Sequence, residues 1–373
     1  MKSFLLKCLL LVNVLTLIPL LMAFSAQFIA SDQWWLPSVL ALAYPAWFLL
    51  PVFWMAVWIR LVRKNMWLNL IVLLIHYQHI LNTFQISTAH HSAPNDIKVY
   101  SLNVASFGYD PDQVQVIAKD IAKLNPDVVC LQEFRTPMHF KGKRVNTLTH
   151  FKKMLGLRFH ALVPYSNESG YGLVVFSRYP IKDSDRIGNE SLTPANGMMY
   201  ADLEMYGKKL RVFNLHLQSY KFNSVQRQLF KSQPVANAIG RKRKDGKKPA
   251  TFAKNYWKMT KEMLRTWKIH QLQTQSLAYH KDTVSYATIT CGDLNNTPYQ
   301  AIYRLVKGNQ RDAYQEKGNG TGTTYGSGLA QVRIDYIFAG KEMKVINFKT
   351  LKSHSDHRAT YARLRFNAGK KTP

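Results

Sequence analysis

The chain has 373 residues, 47% of them hydrophobic, with 50 Lys and Arg against 22 Asp and Glu, a formal charge of +28. That length holds one large domain with something smaller beside it. Three cysteines, Cys8, Cys130 and Cys291, are too few and too far apart for a disulfide framework or a zinc motif and read as buried thiols.

The charge is unevenly spread. Residues 1–95 hold five basic groups and one acid, Asp32, which leaves 45 basic and 21 acidic residues in 96–373, a formal +24. A domain this basic expects an anionic partner: nucleic acid, a phosphorylated small molecule or an anionic bilayer. A generally basic surface is the plainer alternative.

From Phe4 to Ala30 the chain is almost continuously apolar, broken by Lys7, and long enough for a hydrocarbon layer of ~30 Å. A second run spans Leu36 to Ile59 with Trp47, Trp54 and Trp58, and a third, Met66 to Ile86, is interrupted by His76, Gln78, His79 and Asn82. We expect a three-helix membrane anchor in residues 1–86 (about 4–30, 36–59 and 66–86). The first run is too long for a signal-peptide core, and no small-residue cleavage site follows cleanly. Lys2 and Lys7 stand at the start of the first run and Arg60, Arg63 and Lys64 follow the second, while Ser31–Trp35 has no basic group. The positive-inside rule puts the N-terminus and the Arg60–Asn65 loop in the cytoplasm. With a spanning third segment the rest lies outside, as expected of an integral protein of a bacterial inner membrane; an interfacial third segment would leave it inside.

Ser87–Asp96 reads as a linker with a solvated His90-His91 pair, and residues 97–373 as the large domain. Strand patterns appear at Ile97–Val104, Asp127–Leu131, Gly172–Ser177, Met199–Met205, Leu210–Leu217, Tyr286–Cys291, Ile334–Phe338 and Ala359–Phe366. Helical spacing covers Pro111–Leu124 and Ala253–His280. Such a mixture predicts a layered α/β domain. Gly240–Pro249 carries six basic residues and reads either as a phosphate clamp or, with a slight edge, as a solvated loop.

The chemistry gathers in six short signatures: Ser101-Leu102-Asn103, Leu131-Gln132-Glu133, Asn214-Leu215-His216, Gly292-Asp293-Leu294-Asn295, Arg333-Ile334-Asp335-Tyr336 and Ser355-Asp356-His357. Carboxylates, carboxamides and imidazoles are costly to bring together unless they share protons, a metal or an anionic ligand. Six at strand-like ends therefore read as one site. Their oxygen ligands suit Mg²⁺, which takes one or two carboxylates plus water and phosphate.

Over residues 97–366 this ordered set resembles the endonuclease/exonuclease/phosphatase superfamily, whose members include deoxyribonuclease I and neutral sphingomyelinases. The resemblance implies a four-layered α-β-β-α sandwich of two packed sheets and Mg²⁺-assisted (or Mn²⁺-assisted) hydrolysis of a phosphate ester. It assigns metal binding to Glu133, Asn103 and Asp356, and catalysis to His357 with its orienting Asp335, to Asp293 and to His216. Asn295 would hold a phosphate oxygen, and Arg135 and Arg178 are candidate phosphate contacts. The deoxyribonuclease branch pairs its equivalent of His216 with a glutamate near Gly172–Pro180, where this chain has none; Glu168 is out of register. The expected activity is a membrane-anchored phosphodiesterase, nuclease-like on nucleic acid or, alternatively, sphingomyelinase-like on phospholipid headgroups, with no obligate protein partner. A catalytically silent binding module for nucleic acid or lipid is the reading from another class.

Overall fold

The computed structural model describes residues 1–88, 92–140, 143–166, 170–188, 191, 195–221, 252–327 and 331–367. The segment 240–249, the His90-His91 pair and Glu168 lie outside the described residues. The chain divides into two compact units, Met1–Phe84 with Thr297–Arg304, and Gln85–Asn296 with Leu305–Pro373.

The first unit is helical. The first apolar run forms one helix, α1 (Lys2–Ser25), with Pro19 inside it. The second is interrupted, as α2 (Trp35–Ala41), α3 (Tyr44–Trp47) and α4 (Leu49–Leu61). Pro37, Pro45 and Pro51 lie within the first three residues of these helices, where a missing amide proton breaks no helical bond. The third run breaks at His76 into α5 (Met66–Ile75) and α6 (Tyr77–Thr83). Ser3–Ser25 and Tyr44–Leu61 are long and apolar enough to cross a membrane. Many large apolar side chains of α1 are exposed, Phe4, Leu11 and Leu15 among them. Inside the bundle, Asn13 and Asn69 exchange amide hydrogen bonds at 3.1 Å each, and Trp58 Nε1 donates to Asn13 Oδ1 at 2.7 Å. Such pairs tie apolar helices together without unmet polar groups. Thr297–Arg304 joins this unit: Ala301 N–H donates to Ala26 O at 3.0 Å, and the Tyr299 ring stacks on Tyr44 at 4.8 Å.

The second unit holds two six-stranded sheets. The strands are β1 (Ile97–Asn103), β2 (Val128–Arg135), β3 (Met138–Phe140), β4 (Lys143–Val145), β5 (Phe159–Pro164), β6 (Tyr171–Ser177), β7 (Ile181–Arg186), β8 (Gly197–Met205), β9 (Lys208–His216), β10 (Ala287–Asp293), β11 (Arg311–Asp312), β12 (Asp335–Ala339), β13 (Met343–Leu351) and β14 (Ala359–Phe366). One sheet runs β13-β14-β1-β2-β6-β5 and the other β11-β12-β10-β9-β8-β7, while β3 and β4 pair apart. Only β1–β2 and β9–β10 are parallel among these pairs. Helices α7 (Pro111–Leu124), α8 (Thr147–Leu155), α9 (Phe252–Asp282), α10 (Ala301–Lys307) and α11 (Ala313–Lys317) complete the elements described.

Alternation along the strands explains the layers. Ile97 and Val99 of β1 turn inward to meet Val212, Ile289 and Ile337 of the other sheet. Tyr100 and Leu102 turn outward, where Val114 and Ile117 of α7 and Phe151 of α8 cover them. The long helix α9 buries Met263, Trp267 and Leu277. The result is the α-β-β-α sandwich expected from sequence.

Continuing the same alternation, Asn103, Gln132, Asn214, His216, Asp293 and Asp335 fall on the inner faces at the ends of their strands. There the core turns polar: Gln132 Nε2 donates to Asn214 Oδ1 at 2.7 Å, joining the sheets, and Asn214 Nδ2 donates to the carbonyls of Leu131 and Val174 at 3.1 and 3.0 Å.

Candidate active site

Three of the candidates share one row. In register, Asp335 of β12 faces Asp293 of β10, and Asp293 faces His216 of β9. All three are buried. Gly292 allows that approach: at φ +133° it lies where a Cβ would sit 2.0 Å from Leu215 O, which is why the Gly-Asp-Leu-Asn signature opens with glycine.

The other sheet supplies Asn103 and Glu133. Glu133 follows a register shift between Leu131 and Phe134 and has φ 54°, a left-handed conformation costly for a residue with a Cβ. The bulge turns its carboxylate toward the opposite sheet. Asn103 Nδ2 donates to Glu133 Oε1 at 3.1 Å and to Asp293 Oδ2 at 3.2 Å, bridging the sheets. Its Oδ1 accepts the Ala105 N–H at 2.9 Å, so the carboxamide here presents nitrogen to the carboxylates. The sequence reading makes Asn103 an oxygen donor to a metal; here its oxygen is taken by the backbone amide of Ala105.

His357 is held by Asp335, with Nδ1 3.0 Å from Oδ2 and 3.2 Å from Oδ1, and its Nε2 lies 3.7 Å from Asp293 Oδ2. Burial alone would lower the His357 pKa; the carboxylates of Asp335 and Asp293 outweigh it and raise the pKa to about 10. Asp293 moves the other way for a carboxyl, up to about 7, through burial and then the Asp335 charge. Asp293 Oδ1 also accepts the Asn295 N–H at 2.8 Å.

His216 meets no acid at Nδ1. That nitrogen lies 3.0 Å from the Tyr165 hydroxyl, which also accepts the Glu133 N–H at 3.1 Å. The hydroxyl accepts from Glu133, so its own proton is free for Nδ1, and on the far side of the ring Asn196 Nδ2 lies 3.2 Å from Nε2. Nε2 lies 3.2 Å from Ser219 Oγ, 3.7 Å from Glu133 Oε1 and 3.8 Å from Asp293 Oδ2. Burial lowers the His216 pKa, countered in part by the Glu133 charge. A buried phenol thus stands where the deoxyribonuclease pattern led us to look for an acid.

The remaining candidates divide. Asn295, at φ 48°, turns its amide to Leu217 O at 3.0 Å. Asp356 is exposed and takes a hydrogen bond from Ser355 Oγ at 3.3 Å. The Arg135 guanidinium lies over the Tyr171 ring at 4.4 Å, and the Tyr171 hydroxyl donates to Glu133 Oε2 at 2.9 Å. Arg178 is a correction. It pairs with Asp127 at 2.8 Å and donates to Asn125 Oδ1 at 2.6 Å, next to Val128 where β2 begins. Glu133 is five residue steps from that end, about 17 Å at the usual rise, so Arg178 is a structural ion pair and not a phosphate contact.

Sequence reasoning missed Tyr165, Tyr171 and the supports behind the loops. His270 of α9 sits 2.8 Å from Gln218 O through Nε2 and 2.8 Å from Asn296 Nδ2 through Nδ1, while Gln273 Oε1 accepts the Gln218 N–H at 3.0 Å. Tyr336 donates to Asn296 O at 2.8 Å. Of these only Tyr336 belongs to a strand-end signature, and only the proximity of Tyr165 and Tyr171 to the β6 pattern hinted at the others.

The donor set suits a divalent cation. Asp293, Asp335 and His357 bring ligating atoms within 4.8 Å of one another. Glu133 Oε1 and Asp293 Oδ2, from opposite sheets, converge on the single Asn103 nitrogen. Crowded carboxylates of this kind, one of them with a raised pKa, are relieved by a hard cation with oxygen ligands.

A sequence model described as the Endonuclease/Exonuclease/phosphatase family matches residues 100–357, and one described as a domain of unknown function matches residues 6–83. Among solved structures, an endonuclease/exonuclease/phosphatase family protein from Bacteroides thetaiotaomicron is similar over 74% of this chain and 100% of its own, with 15% identity and a TM-score of 0.51. The endonuclease/exonuclease/phosphatase from Bacteroides vulgatus is similar over 73% of this chain and 99% of its own, with 14% identity and a TM-score of 0.50. D. rerio TDP2, solved with a single-strand DNA product, is similar over 72% of this chain and 99% of its own, with 16% identity and a TM-score of 0.48. No curated protein matches the chain.

Proposed function

We propose, from the premise that this chain belongs to the endonuclease/exonuclease/phosphatase family, that it is a membrane-anchored, Mg²⁺-dependent phosphodiesterase acting on nucleic acid. Members of that family are typically hydrolases of phosphodiester bonds. The observation that carries the reading is the buried row of Asp335, Asp293 and His216, closed by His357 on one side and Glu133 on the other. An acid–imidazole cluster this dense has little structural use by itself.

Glu133 is the residue we assign to Mg²⁺, with Asp356 at the rim. Bound there, the ion would polarise a phosphoryl oxygen and offset charge in the transition state. Asp293 accepts the proton of the attacking water. His357, fixed by Asp335 at Nδ1, presents Nε2–H toward the phosphoryl oxygens, and the His216 imidazole presents Nε2 from the opposite side. Asn295, two residues beyond Asp293, orients the phosphate. Positioned proton transfer of this kind contributes typically ~10²–10⁴-fold.

The nucleic-acid reading rests on the formal +24 of residues 96–373 and on counterion release at phosphates. The anchor reading rests on the two apolar stretches long enough to span; a catalytic unit outside the cytoplasm follows only with a third span. The full-length protein in detergent, assayed with Mg²⁺ or EDTA on plasmid DNA, RNA, sphingomyelin and phosphoinositides, tests this. Hydrolysis abolished by EDTA, by Glu133→Ala and by His357→Ala is expected. Activity indifferent to all three would end the metal-hydrolase reading.

A further inference from the structure

Beside Glu133 three planar groups are layered, and the chemistry above uses none of them. Tyr171 donates its hydroxyl proton to Glu133 Oε2. Arg135 lies over the Tyr171 ring at 4.4 Å, and its guanidinium also lies 5.1 Å from the Tyr109 ring centroid. Arg135 Nε is buried with no hydrogen-bond partner, so stacking, not an ion pair, holds the group there. Tyr109 is the outermost layer and is 64% exposed.

An exposed tyrosine alone is ordinary. This one is delivered by an unusual backbone. Ala105, Ser106, Phe107, Gly108 and Tyr109 all have φ between 46° and 59°, a left-handed turn that four residues with a Cβ adopt against their preference. Two anchors hold it. Phe107 is buried against Phe134 and Phe151, with ring centroids 5.5 and 5.6 Å away, and Asn103 Oδ1 accepts the Ala105 N–H where the turn begins. The turn therefore hangs from Asn103 at the centre of the site and ends on Tyr109 at its edge.

We propose that Tyr109 is a stacking platform for a base of a nucleic-acid strand whose phosphodiester lies at Glu133 and Asp293. A nucleobase offers the flat π face that a supported aromatic ring stacks on, whatever the base. A choline headgroup, an inositol ring and an acyl chain offer none. The guanidinium beneath makes the platform cationic as well as flat, which suits a strand that must bring its backbone past the same edge. The inference rests on the phosphodiesterase reading and narrows its substrate class.

The test uses the full-length protein in detergent with Mg²⁺, and pairs of short single strands, DNA and RNA, identical except that one of each pair is abasic near its centre. The ratio of kcat/KM on the base-bearing strand to that on the abasic strand is compared among variants. Tyr109→Ala is expected to reduce this ratio about 5- to 100-fold, mainly through KM, the range found for loss of a base–aromatic stack; Tyr109→Phe is expected to keep it. A ratio unchanged in Tyr109→Ala, with the unfolding midpoint at its wild-type value, overturns the platform. Wild-type protein that hydrolyses sphingomyelin vesicles but neither strand overturns the platform while supporting the metal-hydrolase reading. EDTA-insensitive hydrolysis of every substrate overturns that reading instead.

Discussion

Removing one oxygen, by Tyr165→Phe, is expected to loosen both sheets' contributions to the site at once. The Tyr165 hydroxyl accepts from the Glu133 amide at 3.1 Å and bonds His216 Nδ1 at 3.0 Å. The ring is 5% exposed and stays packed in the variant, so no cavity opens. Two hydrogen bonds at a net ~1 kcal/mol each give about 2 kcal/mol, and leaving a buried amide and a buried imidazole nitrogen unpaired raises the upper bound to about 4 kcal/mol. In catalysis, Glu133 loses a restraint on its left-handed bulge and His216 loses its Nδ1 partner. We expect kcat to fall roughly 10- to 100-fold, one to two multiples of the ~1.4 kcal/mol that makes a tenfold change. Thermal unfolding in detergent and Mg²⁺-dependent hydrolysis of bis(p-nitrophenyl) phosphate read the two effects. A double-mutant cycle with His216→Asn should show coupling of about 1 kcal/mol or more. A Tyr165→Phe protein within twofold of wild type in rate and ~0.5 kcal/mol in stability would refute the reasoning.

Asn214→Leu removes the amide joining the sheets and strips three hydrogen bonds, including those to Leu131 O and Val174 O; unfolding should show a loss of about 2–4 kcal/mol. Arg178→Ala should leave kcat/KM within twofold and cost at most about 1 kcal/mol in stability, because its ion pair with Asp127 is 38% exposed on the arginine side. Lys281 places its ammonium against Val306 O and Gln310 Oε1, at 2.5 and 2.6 Å, and burial followed by the Lys307 charge lowers its pKa from 10.5 to about 7. Between pH 7 and 10.5 the unfolded chain therefore binds the proton that the folded chain has released, so this lysine makes stability rise with pH across that window, by at most ~1.4 kcal/mol per unit. Comparing unfolding free energies at pH 7 and 9 for wild type and Lys281→Met checks the sign: the variant should gain less from the higher pH, and an equal gain would count against it.

The sandwich and the convergence of most candidates were legible because both follow from one property of the chain. A strand that alternates inward and outward while apolar keeps alternating one step past its apolar stretch, so a polar residue there lands on the inner face. Asn103, His216, Asp293 and Asp335 were readable on that basis. Arg178 was misjudged because an apolar run does not say which of its ends faces the site, and the β2–β6 pairing that settles it is long-range: Val128 lies opposite Ser177. Tyr165 and Tyr171 were hidden for a related reason. Each acts from the end of a hairpin strand, where neither spacing nor charge marks it. The edge strands β7 and β13 went unseen too. Ile181–Arg186 carries four charges facing little core, and Met343–Leu351 breaks its alternation at a shift between Val345 and Asn347. In the apolar runs, hydropathy reported length but not the break at His76, where Nδ1 lies 2.6 Å from Val72 O and the ring nitrogen finds a backbone partner one turn back.

The eight residues Thr297–Arg304 bear on how the protein can be handled. They begin two positions after Asn295, yet their partners are helical: Gln300 Nε2 donates to Ser38 O at 3.3 Å, Asn82 Nδ2 to Pro298 O at 3.3 Å, and Tyr299 shares a hydrogen bond with Thr83 at 2.9 Å. A soluble fragment made by deleting the chain before residue 85 would strip this segment of those partners and take from Tyr299 the apolar cluster of Leu17, Leu20 and Tyr44 that buries it. Low activity or aggregation in such a fragment would then report the missing helices, and would say nothing about the chemistry of the site.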